Sequence, residues 1–159
     1  DQTRPDFTIP SLLENADKWL SPYLIGVKRE EDLLRLNMKE ILLNSLNFDQ
    51  QKLLQALAPE KIAVPSGSMI AIQYSSHAEA PVLAVRLQEV FGWLDTPKIN
   101  EGKIPLLLHL LSPGFKPVQV TSDLRSFWMN AYFEVKKEIM QGIFEANERS
   151  KQLGKIFEQ

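Results

Sequence analysis

Cysteine is absent from this chain. Disulfides, cysteine-ligated zinc and thiol nucleophiles are thereby excluded, which fits a reducing, cytoplasmic setting. Histidine is almost absent, with 2 residues, His77 and His109. Metal or acid–base work would need converging partners that the sequence does not display around either. No apolar run approaches the roughly 20 residues of a bilayer span; Ile104–Leu111 is among the longest, so no membrane partner is expected. No excess of positive charge exists either: the net charge is −2. A free-standing nucleic-acid binder ordinarily carries a basic excess, because neutralised phosphates supply most of its affinity. Any RNA contact would therefore be local and weak. The chain also lacks Gly-x-x-x-x-Gly-Lys-Ser/Thr, whose backbone amides and lysine cradle phosphate, and any Asp-Glu-x-His motor box. Hydrolysis of ATP by this chain alone is not expected, and it needs no cofactor of its own. It opens on polar residues, Asp1-Gln2-Thr3-Arg4, without a signal peptide or an initiator methionine, and reads as a trimmed or processed chain.

What is present is ordinary globular material, 44% hydrophobic and 24% charged over 159 residues. That length suits one domain, or one domain with a small helical annex. A chain of this size buries roughly 68–70% of its unfolded surface.

The segment 11–58 reads as helical. Ser11 and Glu14 form a Ser-x-x-Glu capping-box pattern. Leu12, Leu13, Ala16, Trp19, Leu20 and Tyr23 follow at helical spacing, with Pro22 expected to end or kink that helix. Asn37 is a candidate N-cap between two short helices, 30–36 and 38–46, and Asp49 a candidate cap for a third, 50–57. Their leucine-rich faces are expected to pack as core.

The pattern changes at Lys61. Strands are expected at 62–64 and 69–74 around the turn Pro65-Ser66-Gly67-Ser68. The run 81–91 has both periods; Pro81 at its start and Gly92 at its end favour a helix. Residues 96–102 read as a turn-rich connection. A strand over 103–111 and its return over 116–120 make a hairpin. Thr121, Ser122 or Asp123 then caps a long helix to about Gln141, with a charged tail that either prolongs it or frays. The expected class is α+β: a helical lead-in over 1–59, a small antiparallel sheet packed against helices over 60–144, and a polar tail over 145–159.

Chemistry is sparse. Ser68, His109 and Asp123 could be imagined as a triad, but the Gly-x-Ser-x-Gly elbow is missing, and a turn needs Ser66-Gly67-Ser68 anyway. Glu30 and Glu31 are sequence neighbours, which do not face each other on a helix. The best lead is cationic and aromatic. Arg86, Lys103, Lys116, Arg125, Lys136 and Lys137 are spread through the second half, with Trp128 among Phe127 and Tyr132. Single-stranded RNA is held by such charges together with exposed stacking rings. The rings, however, lie at helical spacing, which equally predicts packing onto the sheet.

An ordered set of segments adds to this. It comprises Val64-Pro65-Ser66-Gly67-Ser68, the run 81–92, Thr96-Pro97, Ile104–Pro113, Pro117–Leu124, Phe127-Trp128, Tyr132 and Glu134–Glu138. A looser match lies at Trp19-Leu20 and Pro22-Tyr23-Leu24. Together they resemble the C-terminal region of HrpB-type proteins, bacterial DEAH-box ATP-dependent RNA helicases. The resemblance implies a cytoplasmic parent with motor domains that use ATP and Mg and act on RNA. It implies for this chain a non-catalytic accessory role, bracing the motor domains or guiding single-stranded RNA. Two departures weaken the RNA role. Met69 stands where the family tends to carry arginine, and Gln141-Gly142-Ile143-Phe144 replaces an arginine-rich end. The alternative is a docking module without nucleic-acid contact.

Overall fold

The structure is a computed structural model that describes residues 5–75, 77 and 79–157, with side chains to residue 151. Two units divide between Leu57 and Ala58.

The first unit is helical. α1 (Ile9–Glu14) begins at Thr8, with Pro10 in its first turn. A proline there loses no helical hydrogen bond and presets φ. The start therefore lies upstream of Ser11, whose expected capping role is not realised; its carbonyl instead accepts the Asn15 side-chain amide at 2.9 Å. α2 (Ala16–Trp19) is fixed to α1 by the Trp19 indole N–H, which donates to the Leu12 carbonyl at 2.9 Å. Pro22 lies in the first turn of a separate 3₁₀ turn, Ser21–Leu24, and starts it rather than kinking a longer helix. α3 (Glu30–Leu34) follows, with the Asp32 carboxylate accepting the Lys28 and Arg29 amides. Asn37 caps α4 (Met38–Asn44) as its position predicts, accepting the Glu40 amide at 3.2 Å. α5 (Phe48–Leu57) is capped by Asn47 and not by Asp49. Asn47 accepts the Gln50 amide at 2.9 Å, and the Gln50 side chain accepts the Asn47 amide at 3.1 Å, a reciprocal box.

The leucine faces are less buried than expected. Ile41 and Leu46 are the buried hydrophobic residues described in this unit, whereas Leu13, Leu33, Leu34 and Leu54 are exposed. Helices this short present too little mutual surface to cover every apolar side chain.

The second unit is built on β-structure. β1 (Lys61–Ala63) and β2 (Met69–Ala71) form an antiparallel hairpin. Its loop turns at Gly67, where φ is 92°. A bridge between Gln73 and Val82 ties it to β3 (Val82–Arg86), with amide–carbonyl distances of 2.8 and 2.9 Å. The run expected as a helix is thus a strand followed by a 3₁₀ turn, Leu87–Val90. Leu83 and Val85 alternate into the core while Val82, Ala84 and Arg86 are half-buried. That period-two burial, reinforced by pairing along a neighbouring strand, overrides the helical spacing of Leu83, Leu87, Val90 and Phe91.

β4 (Lys98–Ile99) and β5 (Ile104–Pro105) form a small hairpin within the expected connection. Asn100, Glu101 and Gly102 all take positive φ, at 52°, 56° and 78°. Leu106 interrupts the expected single strand, and β6 (Leu107–Leu111) then pairs in parallel with β3. β7 (Pro117–Thr121) returns antiparallel to β6, giving the order β3-β6-β7. The class is α+β, but this sheet is mixed where an antiparallel one was expected. The crossover from β3 to β6 is long enough to carry the chain back to the same end, and local sequence does not reveal that.

α6 (Leu124–Ser126) leads through a π-helical turn, Phe127–Ala131, into α7 (Tyr132–Phe157). Asp123 is the cap, accepting the Ser126 amide at 2.9 Å. Gly142 does not stop α7, so the polar tail continues the helix; Leu153, Ile156 and Phe157 lie outside the described side chains. Leu83, Val85, Leu106, Leu108 and Leu110 form the buried centre, and Leu124, Phe127 and Val135 pack on it.

Candidate functional site

The cationic and aromatic residues singled out by sequence all lie in the second unit, but they are not gathered on one surface as free charges. Arg86 ends β3. Its Nε and Nη2 donate to the two carboxylate oxygens of Glu89, both at 3.3 Å, and its guanidinium carbon lies 5.1 Å from the centre of the Phe115 ring. Glu89 is only 6% exposed. Its carboxyl is held below the ordinary glutamate value, first by the Arg86 hydrogen bonds against the opposing effect of burial, with help from the Ser68 hydroxyl. Its carbonyl accepts the Ser66 amide at 3.3 Å. Arg86 and Glu89 thus tie together the β1–β2 loop, the 3₁₀ turn and the β6–β7 turn. Phe115 takes a positive φ of 61° in that last turn, a conformation costing a non-glycine residue about 1–2 kcal/mol.

Arg125 is also committed. It grips Asp95 fork to fork at 2.8 and 2.9 Å, lowering the Asp95 pKa and raising its own. Lys103 pairs with Glu101 at 3.0 Å and Lys137 with Glu134 at 3.3 Å, both exposed. Lys116 and Lys136 are exposed, and neither forms an ion pair among the described residues.

Trp128 is half-buried, not presented for stacking. Its indole N–H donates to the Trp93 carbonyl at 2.8 Å. Its ring lies 5.1 to 5.8 Å from those of Phe127, Tyr132 and Phe91. Phe127, in the π-helical turn, is buried in the core, while Trp128 and Tyr132 are partly buried against it and their rings meet Phe91, just after the Leu87–Val90 turn.

The imagined triad is not assembled. Asp123 caps α6, the Ser68 hydroxyl accepts that of Ser66 at 3.3 Å, and His109 sits on the face of β6 opposite Leu108 and Leu110. His77 is exposed. No group of three or more His, Asp or Glu among the described residues could hold a metal ion, and no described helix is long and apolar enough to cross a membrane.

Sequence reasoning missed an apolar flank. Two adjoining hollows lie along α7, one of about 250 Å³ against the Leu87–Val90 turn and Phe91 and one of about 380 Å³ against the β6–β7 turn, sharing Pro113 and Ile139. Phe91, Met140 and Ile143 open onto them and are 48%, 61% and 49% exposed. The only sequence signal was the presence of more apolar residues on α7 than one buried stripe requires.

The fold and its surroundings define a small α+β domain in which a mixed sheet is backed by one long helix. The model of the HrpB C-terminal family, described as ATP-dependent helicase C-terminal, matches residues 19–144. The ATP-dependent RNA helicase HrpB of Escherichia coli (strain K12) is 43% identical over 129 residues, which cover 81% of this chain and 16% of that protein. The crystal structure of the E. coli DExH-box NTPase HrpB matches with a TM-score of 0.77 at 41% identity, over 85% of this chain and 17% of that one. A crystal structure of the Escherichia coli DEAH/RHA helicase HrpB matches at 0.70 and 40% identity, over 84% and 17%. The chain belongs to the HrpB C-terminal family, and it spans about one sixth of the length of the relatives it matches.

Proposed function

We propose that this domain is a non-catalytic accessory element of a larger ATP-dependent RNA helicase, and that it docks on protein, bracing the motor domains, rather than gripping RNA. ATP and Mg²⁺ are assigned to the motor domains, and the setting to the cytoplasm. The observation that carries the reading is neutralisation. Arg86, Lys103, Arg125 and Lys137 are each paired with a carboxylate, and Trp128 is folded into an aromatic cluster. A cation already paired releases fewer counterions on meeting a phosphate, and a ring already packed has no free face for a base.

Weak direct contact with single-stranded RNA is the second reading, favoured by the unpaired Lys116 and Lys136. Two titrations decide between them: this chain against fluorescent oligouridylate across a salt series, and this chain against a helicase of the family lacking its C-terminal region. Saturable binding to the truncated helicase without salt-dependent RNA binding is the expected result. RNA binding that weakens with salt at about −0.7 per phosphate contact, with no binding to the truncated helicase, overturns the docking reading.

A further inference from the structure

Along α7, against the Leu87–Val90 turn with Phe91 and then the β6–β7 turn, runs a groove built from the two hollows that share Pro113 and Ile139. The smaller one is lined by Leu87, Phe91, Tyr132, Ile139 and Met140, with Lys136 as its one charged residue. The larger one adds Pro117, Val118 and Ile143, with Lys116 and Glu138 beside them. The floor is apolar and partly flexible, since Met140 can adjust to different shapes. Each hollow holds one of the two candidate cations that lack an ion pair among the described residues.

We propose that this groove receives an apolar–acidic segment of a protein partner, its apolar side chains filling the hollows and its carboxylates meeting Lys136 and Lys116. The inference deepens the docking reading and rests on it. Charge complementarity selects the occupant. An apolar floor rewards burial of leucine-like anchors, and the two lysines at its edge, set against the single Glu138, leave a net positive rim that rewards carboxylates placed beside those anchors, most of all at Lys136. Oligonucleotides fit less well. The ring of Tyr132 is already engaged edge-on by Phe91, Phe127 and Trp128, leaving little stacking face, and most of the floor is aliphatic.

The test uses a fluorescein-labelled peptide with leucine and glutamate at helical spacing, titrated by anisotropy against the whole chain. Its leucine–lysine and serine–glutamate counterparts and oligouridylate serve as comparators. The leucine–glutamate peptide is expected to bind best. Lys136→Glu and Met140→Glu should each weaken it by at least about tenfold, the scale of an interface hot spot, while Lys103→Glu, away from the groove, leaves it unchanged. Both groove positions are exposed, and unchanged thermal melting verifies that the variants fold. The proposal is overturned by equal binding of the leucine–lysine peptide, by indifference to both groove variants, or by oligouridylate binding that Lys136→Glu abolishes. Self-association removed by Met140→Glu also overturns it, in favour of a second copy. Titrating the same variants against the truncated helicase separates the two ideas. Docking that persists unchanged refutes the groove alone, whereas no docking by the unsubstituted chain refutes the broader reading.

Discussion

Arg86 and Glu89, three positions apart, are joined by two hydrogen bonds of 3.3 Å, and the carboxylate of that pair is almost fully enclosed. The pair converts a residue that its charge alone would assign to RNA into part of the scaffold. Removing the carboxylate charge leaves Arg86 without its counter-ion, so Glu89→Gln should destabilise the chain by about 1–2 kcal/mol, a charged hydrogen bond discounted for the partial exposure of Arg86. Chemical denaturation at neutral pH measures it.

The same pair predicts a pH dependence. The Glu89 pKa in the folded chain lies below its ordinary value of 4.5. Its stabilising contribution is therefore fully present above about pH 4.5 and is lost as pH falls through the folded value. Unfolding midpoints between pH 6 and pH 3, chosen to bracket about 4.5, should drop more steeply for the natural chain than for Glu89→Gln. Parallel curves would remove Glu89 as a cause.

Gly92 takes a φ of 111°, and a Cβ there would lie 3.3 Å from Pro65 Cβ. Gly92→Ala combines that backbone conformation with a tight contact against a rigid ring. A loss of about 1–3 kcal/mol is expected, read as a lowered melting temperature.

Trp128→Phe keeps most of the aromatic packing but deletes the donor to the Trp93 carbonyl. The expected cost is about 1–2 kcal/mol, with any binding of oligouridylate by this chain unchanged. A selective loss of RNA affinity at unchanged stability would instead give Trp128 a stacking role.

Asp123→Ala removes the acceptor for the Ser126 amide at the start of α6. A loss of about 1 kcal/mol is expected, and Asp123→Asn should recover most of it, which urea unfolding would resolve.

Local chemistry was the legible part of this protein. Asn37 and Asp123 cap helices because a short side chain with an acceptor oxygen suits that position wherever the chain goes afterwards. The β6–β7 hairpin and the long final helix were likewise written, the one in an apolar run ended by Ser112-Pro113-Gly114 and the other in helical spacing. The absence of cysteine excludes disulfides and thiol chemistry whatever the fold.

Tertiary structure decided what depends on distant partners. The run 82–86 is a strand because β6 lies beside it in parallel, and no local period could choose between that and a helix. The charge of Arg125 was plain in the sequence, but its neutralisation depends on where the chain brings Asp95. Residues 95 and 125 are far apart along the chain, and only folding sets their carboxylate and guanidinium face to face. The groove along α7 arose in the same way. Which apolar residues are buried and which are left exposed is set by the surface each element finds opposite it, and that surface exists only once the chain has folded.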